Sequence, residues 1–443
     1  MERYNEYKDS GVQWLGEIPS HWKIEPFGRH FKFRKGLPIT KADLKENGIA
    51  VISYGQIHAK NNLGTTLTES LVRYVSQDYL HTHPQCLLTK NDFVFADTSE
   101  DIEGSGNFVY NDFKDDIFAG YHTIVARQDS LYNPKYYAYL FMSDAWKNRV
   151  RNLVNGVKVY SIGRKQLKDN FLLFPLPSEQ DAIVDFLDKE TFGIDKAIAM
   201  QQKMIDLLNE RKQIIIQNAV TKGLDGNVEM KDSGVEWIGL IPAHWEVYKL
   251  KYLINEPLKY GANEASEFAD RSCPRYIRIT DIDSNGKLKD DTFRSLSSEK
   301  AKPYMLKYGD LLFARSGATV GKAFLFEEEY KACYAGYLIK ASLNQYKVLP
   351  KFLYLYTQTL AYQRWKESIF IQATIQNING NKYGNMQVAI PSIIEQNNIL
   401  NNLLPKLTKF DKVIDNCQRQ ISLLQERKQI IINEVVTGKV RVS

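Results

Sequence analysis

Cysteine is scarce in this chain, and its spacing says more than its number. Cys86, Cys273, Cys333 and Cys417 are scattered over 443 residues, with no Cys-x-x-Cys and no paired spacing. Neither a disulfide framework nor a zinc site is expected, and a reducing cytoplasm is the expected compartment. No apolar run approaches the ~18 residues that a membrane span requires. The opening MERYNEYKDS is charged where a signal peptide would be apolar. Charge of one sign does not dominate: the net charge of +6 permits a polyanionic partner without requiring one.

Catalytic constellations are missing too. The seven histidines are dispersed, and none forms His-Glu-x-x-His. Gly317-Ala318-Thr319-Val320-Gly321-Lys322-Ala323 resembles a P-loop but is one residue short and lacks the Ser/Thr that holds magnesium, so a turn between strands is expected. Asn133-Pro134-Lys135-Tyr136 resembles the amine-holding motif of amino-methyltransferases. Lys135 replaces its second proline and no Gly-rich cofactor loop precedes it, so a helix start is expected. Paired carboxylates such as Asp290-Asp291 sit in polar, turn-like contexts and read as solvated.

What is present is repetition. Residues 8–22 read KDSGVQWLGEIPSHW, and residues 231–245 read KDSGVEWIGLIPAHW. ERKQIII stands at 210–216 and again at 426–432. Between these markers the halves have diverged, as two reading heads on one duplicated frame would. Tyrosine is abundant, 26 residues against 21 phenylalanines, and suits either interfaces or a tyrosine-rich core. The glycines and proline of the KDSGV module break regular structure. Its Trp14, Trp22, Trp237 and Trp245 read as anchors pinning an irregular segment to a core, and His21 and His244 as structural.

Each half then carries short β-like runs: 49–57, 91–98 and 121–128 in the first, 274–282, 309–317 and 336–343 in the second. Phe95-Ala96 matches Phe313-Ala314, and Ala119-Gly120-Tyr121 matches Ala335-Gly336-Tyr337. Helices are predicted over 134–154 and 350–370, opening at Pro134 and Pro350. Each half closes with a long stretch carrying a seven-residue apolar repeat. Leu187, Ile194, Gln201, Leu208 and Ile215 mark the first, and Leu403, Phe410, Cys417, Leu424 and Ile431 the second. Pro405 is expected to bend or delay the second helix. Forty helical residues span roughly 60 Å. The linker TKGLDGNVEM reaches at most about 35 Å, so the two helices are expected to pack antiparallel.

The predicted fold class is α+β: two globular domains in tandem, each followed by a long helix, the helices forming an antiparallel coiled coil with pseudo-twofold symmetry. The expected boundaries are domain 1 over 1–177, helix over 178–220, linker over 221–230, domain 2 over 231–391, helix over 392–436 and a tail over 437–443.

The KDSGV…IP.HW opening, the Glu-Gln entry into a long helix (Glu179-Gln180, Glu395-Gln396) and the ERKQIII helix end closely resemble the specificity subunit of Type I restriction–modification systems, over essentially the whole chain. The resemblance implies sequence-specific binding of double-stranded DNA at a bipartite, asymmetric target, with no catalysis by this chain. It implies two docked modification subunits, which are adenine-N6 methyltransferases using S-adenosylmethionine. Restriction subunits using ATP and magnesium would join through them for cleavage, and no cofactor is expected on this chain. Candidate DNA-binding residues, taken from polar loops beside the matched strands, are Arg34, Lys35, Tyr54, Gln56, His58, Lys60 and Asn61, then Lys158, Tyr160, Arg164 and Lys165. In the second half they are Arg278, Thr280, Asp281, Arg315, Ser316, Lys322, Thr374, Gln376 and Asn377. Registering the halves on ERKQIII places Lys158 over Thr374 and Tyr160 over Gln376. The repeated Glu210, Arg211, Lys212 and Glu426, Arg427, Lys428 are candidates for partner docking, or else form a solvated helix face or intrahelix salt bridges. Competing readings are an enzyme with degraded motifs, a non-catalytic two-headed coiled-coil scaffold, and a silent recombination copy of a specificity subunit.

Overall fold

The structure, a computed structural model, describes residues 2–113, 116–129, 132–156, 158–265, 268–283, 286–317, 319–370 and 376–442. Thr374, and Ala318 of the P-loop-like segment, lie outside the described residues. The chain divides into two compact units, Met1–Gln201 with Arg419–Ser443, and Gln202–Gln418.

In the first unit a four-stranded sheet has the order Phe31–Lys35, Thr123–Gln128, Phe93–Ala96, Phe108–Tyr110. Its central strand runs antiparallel to both neighbours. A smaller sheet pairs Ile117–Ala119 parallel to Ile49–Ile52. The core is aromatic: Phe27, Phe93, Phe95, Phe108, Phe141 and Trp146 are buried together. Edge-on ring contacts such as Phe93–Phe141 at 5.2 Å join them. Leu187 and Ile194 of one long helix and Ile431, Val435 and Val436 of the other enter the same core. Of the heptad residues, Leu187, Ile194, Leu403, Cys417 and Ile431 are buried, and Gln201, Leu208, Ile215, Phe410 and Leu424 are half-buried.

The second unit repeats the plan, with a sheet ordered Lys259–Tyr260, Leu338–Ala341, Leu311–Ala314, Ala323–Leu325 and a parallel pair Arg275–Ile277 with Ala332–Tyr334. The P-loop-like segment is part of the connection between the antiparallel strands Leu311–Ala314 and Ala323–Leu325.

The long helices are Pro177–Lys222 and Ile393–Val436. Pro405 lies inside the second and does not delay it. In the first unit the opening half of the first helix meets the closing half of the second, through Asp195 and Lys428 at 2.7 Å. In the second unit the closing half of the first meets the opening half of the second, through Lys212 and Asp411 at 2.6 Å. Antiparallel helices give this pairing.

Two shorter elements differ from expectation for a local reason. Residues 134–154 form two helices, Pro134–Met142 and Asp144–Arg151, because the Ser143 side chain caps the second by accepting from Trp146 N–H at 3.2 Å. Thr359 divides 350–370 in the same way, accepting from Tyr362 N–H at 3.3 Å. The expected strand 49–57 stops at Ile52, where Gln56 Oε1 accepts from Ser53 N–H and opens a helical turn.

The repeated sequence markers fasten each unit to its own long helix. Trp22 and Trp245 are fully buried. His21 Nε2 lies 3.0 Å from Glu179, and His244 Nε2 lies 2.8 Å from Glu395. Asn133 caps its helix through Lys135 N–H, so the Asn-Pro motif is a helix start.

Candidate nucleic-acid interface

At one end of the first unit's main sheet, Thr123 faces Ala96 across the ladder. One residue beyond, Asp97 N–H donates to His122 O at 3.1 Å. The side chains meet as well, with His122 Nδ1 3.2 Å from Asp97 Oδ1. His122 has φ +54, a left-handed conformation that a non-glycine residue adopts at a cost. Tyr54 lies beside it: its ring is 5.6 Å from those of both His122 and Tyr121, and 6.1 Å from that of His58. The strand Tyr160–Ser161 pairs with Thr98–Ser99, and Ile162 N–H donates to Asp97 O at 2.9 Å. The structure therefore gathers Tyr54, His58 and Tyr160 from the candidate set.

Other candidates serve the fold. Arg34 turns inward, donating to Gln85 O at 2.9 Å and lying 3.6 Å from buried Asp92. Burial lowers its guanidinium pKa. Gln56 caps its turn, and Asn61 donates to Ser70 Oγ at 3.0 Å. His58 Nε2 lies 2.9 Å from Thr98 O. Lys35, Lys60, Lys158, Arg164 and Lys165 are exposed.

In the second unit Arg315 N–H donates to Tyr337 O at 3.0 Å, and Ile378 N–H donates to Arg315 O at 2.9 Å. The Arg315 guanidinium lies over the Tyr260 ring, 5.2 Å from its centroid. Tyr260 is fixed in turn, its hydroxyl accepting from Gly380 N–H at 2.9 Å. Ser316 bridges to Asn377, and Gln376 is exposed. Arg278 and Asp281 are committed to each other: Arg278 Nη2 donates to Asp281 Oδ1 at 2.6 Å, and Asp281 is buried. That bond raises the Arg278 pKa. A buried, saturated Asp281 has no atom to offer a base, so the structure sets that candidate aside. Lys322 donates to the carbonyls of Ile282 and Asp283, and burial lowers its pKa. Thr280 is exposed.

Hydrogen-bond register aligns the two units residue by residue. Asp97 matches Arg315, His122 matches Tyr337, and Asn107 matches Lys322, each by the same backbone bond in both units. Gln56 matches Asp281 as the capping side chain. The identical Ala-Gly-Tyr triplets do not coincide. Ala119 pairs with Ile52 as Tyr334 pairs with Ile277, so Ala119 corresponds to Tyr334 and the letter match is one residue out. Strand pairing, not residue identity, fixes which side chain faces which way. This correction exposes His122, Asp97, Tyr337 and Tyr260 as site residues that the sequence reading missed. One signal was available: each half carries Phe-Ala at this point, and the next residue is aspartate in one and arginine in the other.

On the helices, Lys212 and Lys428 are engaged within the chain by Asp411 and Asp195. Glu210, Arg211, Glu426 and Arg427 are exposed. Among the described residues no helix is long and apolar enough to cross a membrane.

The fold and site define a duplicated recognition protein, two α+β units of one plan presenting different polar chemistry at the same backbone positions. The family model "Type I restriction modification DNA specificity domain" matches residues 19–209 and again 242–425. The chain belongs to this family and carries its domain twice; its function is DNA sequence recognition in a Type I restriction–modification system. It is 22% identical over 323 residues to the Type I restriction enzyme EcoBI specificity subunit of Escherichia coli, covering 70% of this chain and 67% of that one. It is 24% identical over 315 residues to the MjaVIII specificity subunit of Methanocaldococcus jannaschii, covering 69% and 70%. Among solved structures, a chain from work on complex assembly and conformational transition of the type I R-M system aligns with a TM-score of 0.68 at 14% identity. That alignment covers 96% of this chain and 99% of the other, a likeness of fold.

Proposed function

We propose that this chain is the non-catalytic specificity subunit of a cytoplasmic Type I complex, and that its two domains read the two unlike halves of a bipartite, asymmetric DNA target. The observation that carries this reading is the register match: one backbone position holds Asp97 with His122 in the first unit and Arg315 with Tyr337 in the second. Two heads of identical frame and different contact chemistry read different bases. Exposed lysines and arginines beside each site contact phosphates and make binding salt-dependent. Two modification subunits, adenine-N6 methyltransferases that carry S-adenosylmethionine, dock on the repeated helix surfaces. Restriction subunits that use ATP and magnesium join through them for cleavage.

The test is a map of methylated adenines in a host genome carrying this chain, compared with the same host after its deletion. A bipartite asymmetric motif that loses methylation on deletion is the expected result. Methylation unchanged by the deletion overturns the reading and favours a silent copy or a scaffold.

A further inference from the structure

The register match reaches beyond the domain to single residues. Asp97 and His122 in one unit, and Arg315 and Tyr337 in the other, stand at the corresponding end of each unit's own main sheet. The His122 side chain is 56% exposed and Tyr337 is 66% exposed, while Asp97 and Arg315 are half-buried. They are also held. Asp97 anchors the His122 ring, and Tyr260 lies under the Arg315 guanidinium. The His122 backbone stays in a costly left-handed conformation, which persists only where the surroundings enforce it. Arg34, Gln56, Arg278, Asp281 and Lys322 are turned inward or tied to caps, and among the described residues the exposed candidate lysines have no partner that orients them toward a base, whereas these four are held in place and differ in chemistry between units.

Resting on the DNA-reading function proposed above, we infer that Arg315 and the Asp97-held His122 are the specificity-determining residues of the second and first domains. Arg315 selects guanine. His122 selects a base with an exocyclic amine in the major groove, cytosine or adenine.

The chemistry follows from donors and acceptors. A guanidinium has only donors and matches the O6 and N7 acceptors of guanine. Stacking on Tyr260 leaves its in-plane N–H groups free to make that contact. In the first domain His122 Nδ1 lies against the Asp97 carboxylate, which favours the tautomer with the proton on Nδ1. In that tautomer Nε2 is an acceptor, as are the remaining lone pairs of the Asp97 carboxylate. Acceptors recognise the amine of cytosine or adenine and repel the O6 of guanine. Tyr54 flanks the first contact, its ring 5.6 Å from that of His122.

The test uses the full chain as purified from its host, together with whatever subunits accompany it. The probe is a fully randomised duplex DNA library, from which bound duplexes are selected and sequenced. The variants are R315K, R315Q and H122G. Glycine suits the left-handed backbone, so H122G removes the ring without adding strain. Thermal melting close to that of the parent establishes that each variant is folded. The parent is expected to select a bipartite motif. R315K and R315Q should each lose guanine preference at one position of one half-site by about tenfold or more. H122G should lose amine preference at one position of the other half-site, and each variant should leave the opposite half-site as in the parent. A mere phosphate contact by Arg315 predicts that R315K keeps the parent motif, and that outcome overturns the inference. So does a parent motif reproduced by H122G, or one in which both half-sites degrade together. A parent that selects no motif overturns the DNA-reading function itself, which separates the two failures.

Discussion

The ammonium of Lys428 lies 2.7 Å from both carboxylate oxygens of Asp195, so a lysine of the repeated Glu-Arg-Lys-Gln segment is held by the other long helix. Lys212 stands in the same relation to Asp411 at 2.6 Å. Both pairs are partly exposed, and such pairs contribute about 0.3–1 kcal/mol. K428D should therefore lower the melting temperature slightly, and the swap D195K/K428D should restore most of the loss. A double variant no more stable than the sum of its single changes removes the coupling.

Because those lysines are occupied within the chain, partner docking is better probed at their exposed neighbours. R211E combined with R427E should melt like the parent and weaken co-purification of the modification subunit on the order of tenfold. Undiminished co-purification moves the docking surface away from this segment.

Gln180 and Gln396 perform one task in two units. Gln180 is fully buried, accepts from Asn133 N–H at 2.9 Å and donates to Pro175 O at 3.2 Å. Gln396 is also fully buried, accepts from Leu349 N–H at 2.8 Å and donates to Pro391 O at 2.9 Å. Leucine at either position leaves a half-buried backbone donor and a buried acceptor without partners, at a cost of about 2 kcal/mol. Denaturant unfolding should show Q180L and Q396L well below the exposed control Q425L. Equal midpoints for the three show that water replaces the lost bonds.

Gly223 and Gly438 follow the two long helices with φ +78 and +74. A methyl group on Gly438 would come within 2.5 Å of Pro19 and 3.0 Å of Trp22, whereas one on Gly223 would stand 3.4 Å from Glu395. Both alanine variants meet the left-handed penalty of about 1–2 kcal/mol. G438A meets the overlap as well and should be the less stable by about 1 kcal/mol or more. A G223A variant as unstable as G438A would show that backbone strain alone sets the cost.

Acid stability of the second unit should depend on Glu256. Its hydrogen bond to Lys259 and its approach to Lys340 hold its carboxyl down at about 2, from an ordinary value of 4.5. A lowered carboxylate pKa adds stability above the unfolded value and loses it as pH falls through the folded one. The melting temperature of the parent should therefore fall between pH 4.5 and 2. E256Q should start lower at neutral pH and show a shallower decline. Parallel curves for the two proteins assign the acid loss to other groups.

Sequence by itself determined the duplication, the two long helices and the family. Each depends on short-range patterning that survives as letters: the heptad at Leu187 and Ile194, Pro134 opening a helix, and Trp22 recurring as Trp245. Docking lysines and reading residues were a different matter. Lys212 and Lys428 looked like free surface charges because their aspartates lie on another helix, far away in the chain. Arg34 reads as a DNA contact because its buried partner Asp92 lies far along the chain, and Asp281 because its tie to Arg278, three residues earlier, forms only when that turn folds. His122 and Asp97 went unnoticed because a matched Ala-Gly-Tyr suggested a register that strand pairing shifts by one residue. In a sheet one residue exchanges the two faces, so the identity of the outward-facing side chains was decided only when the strands paired.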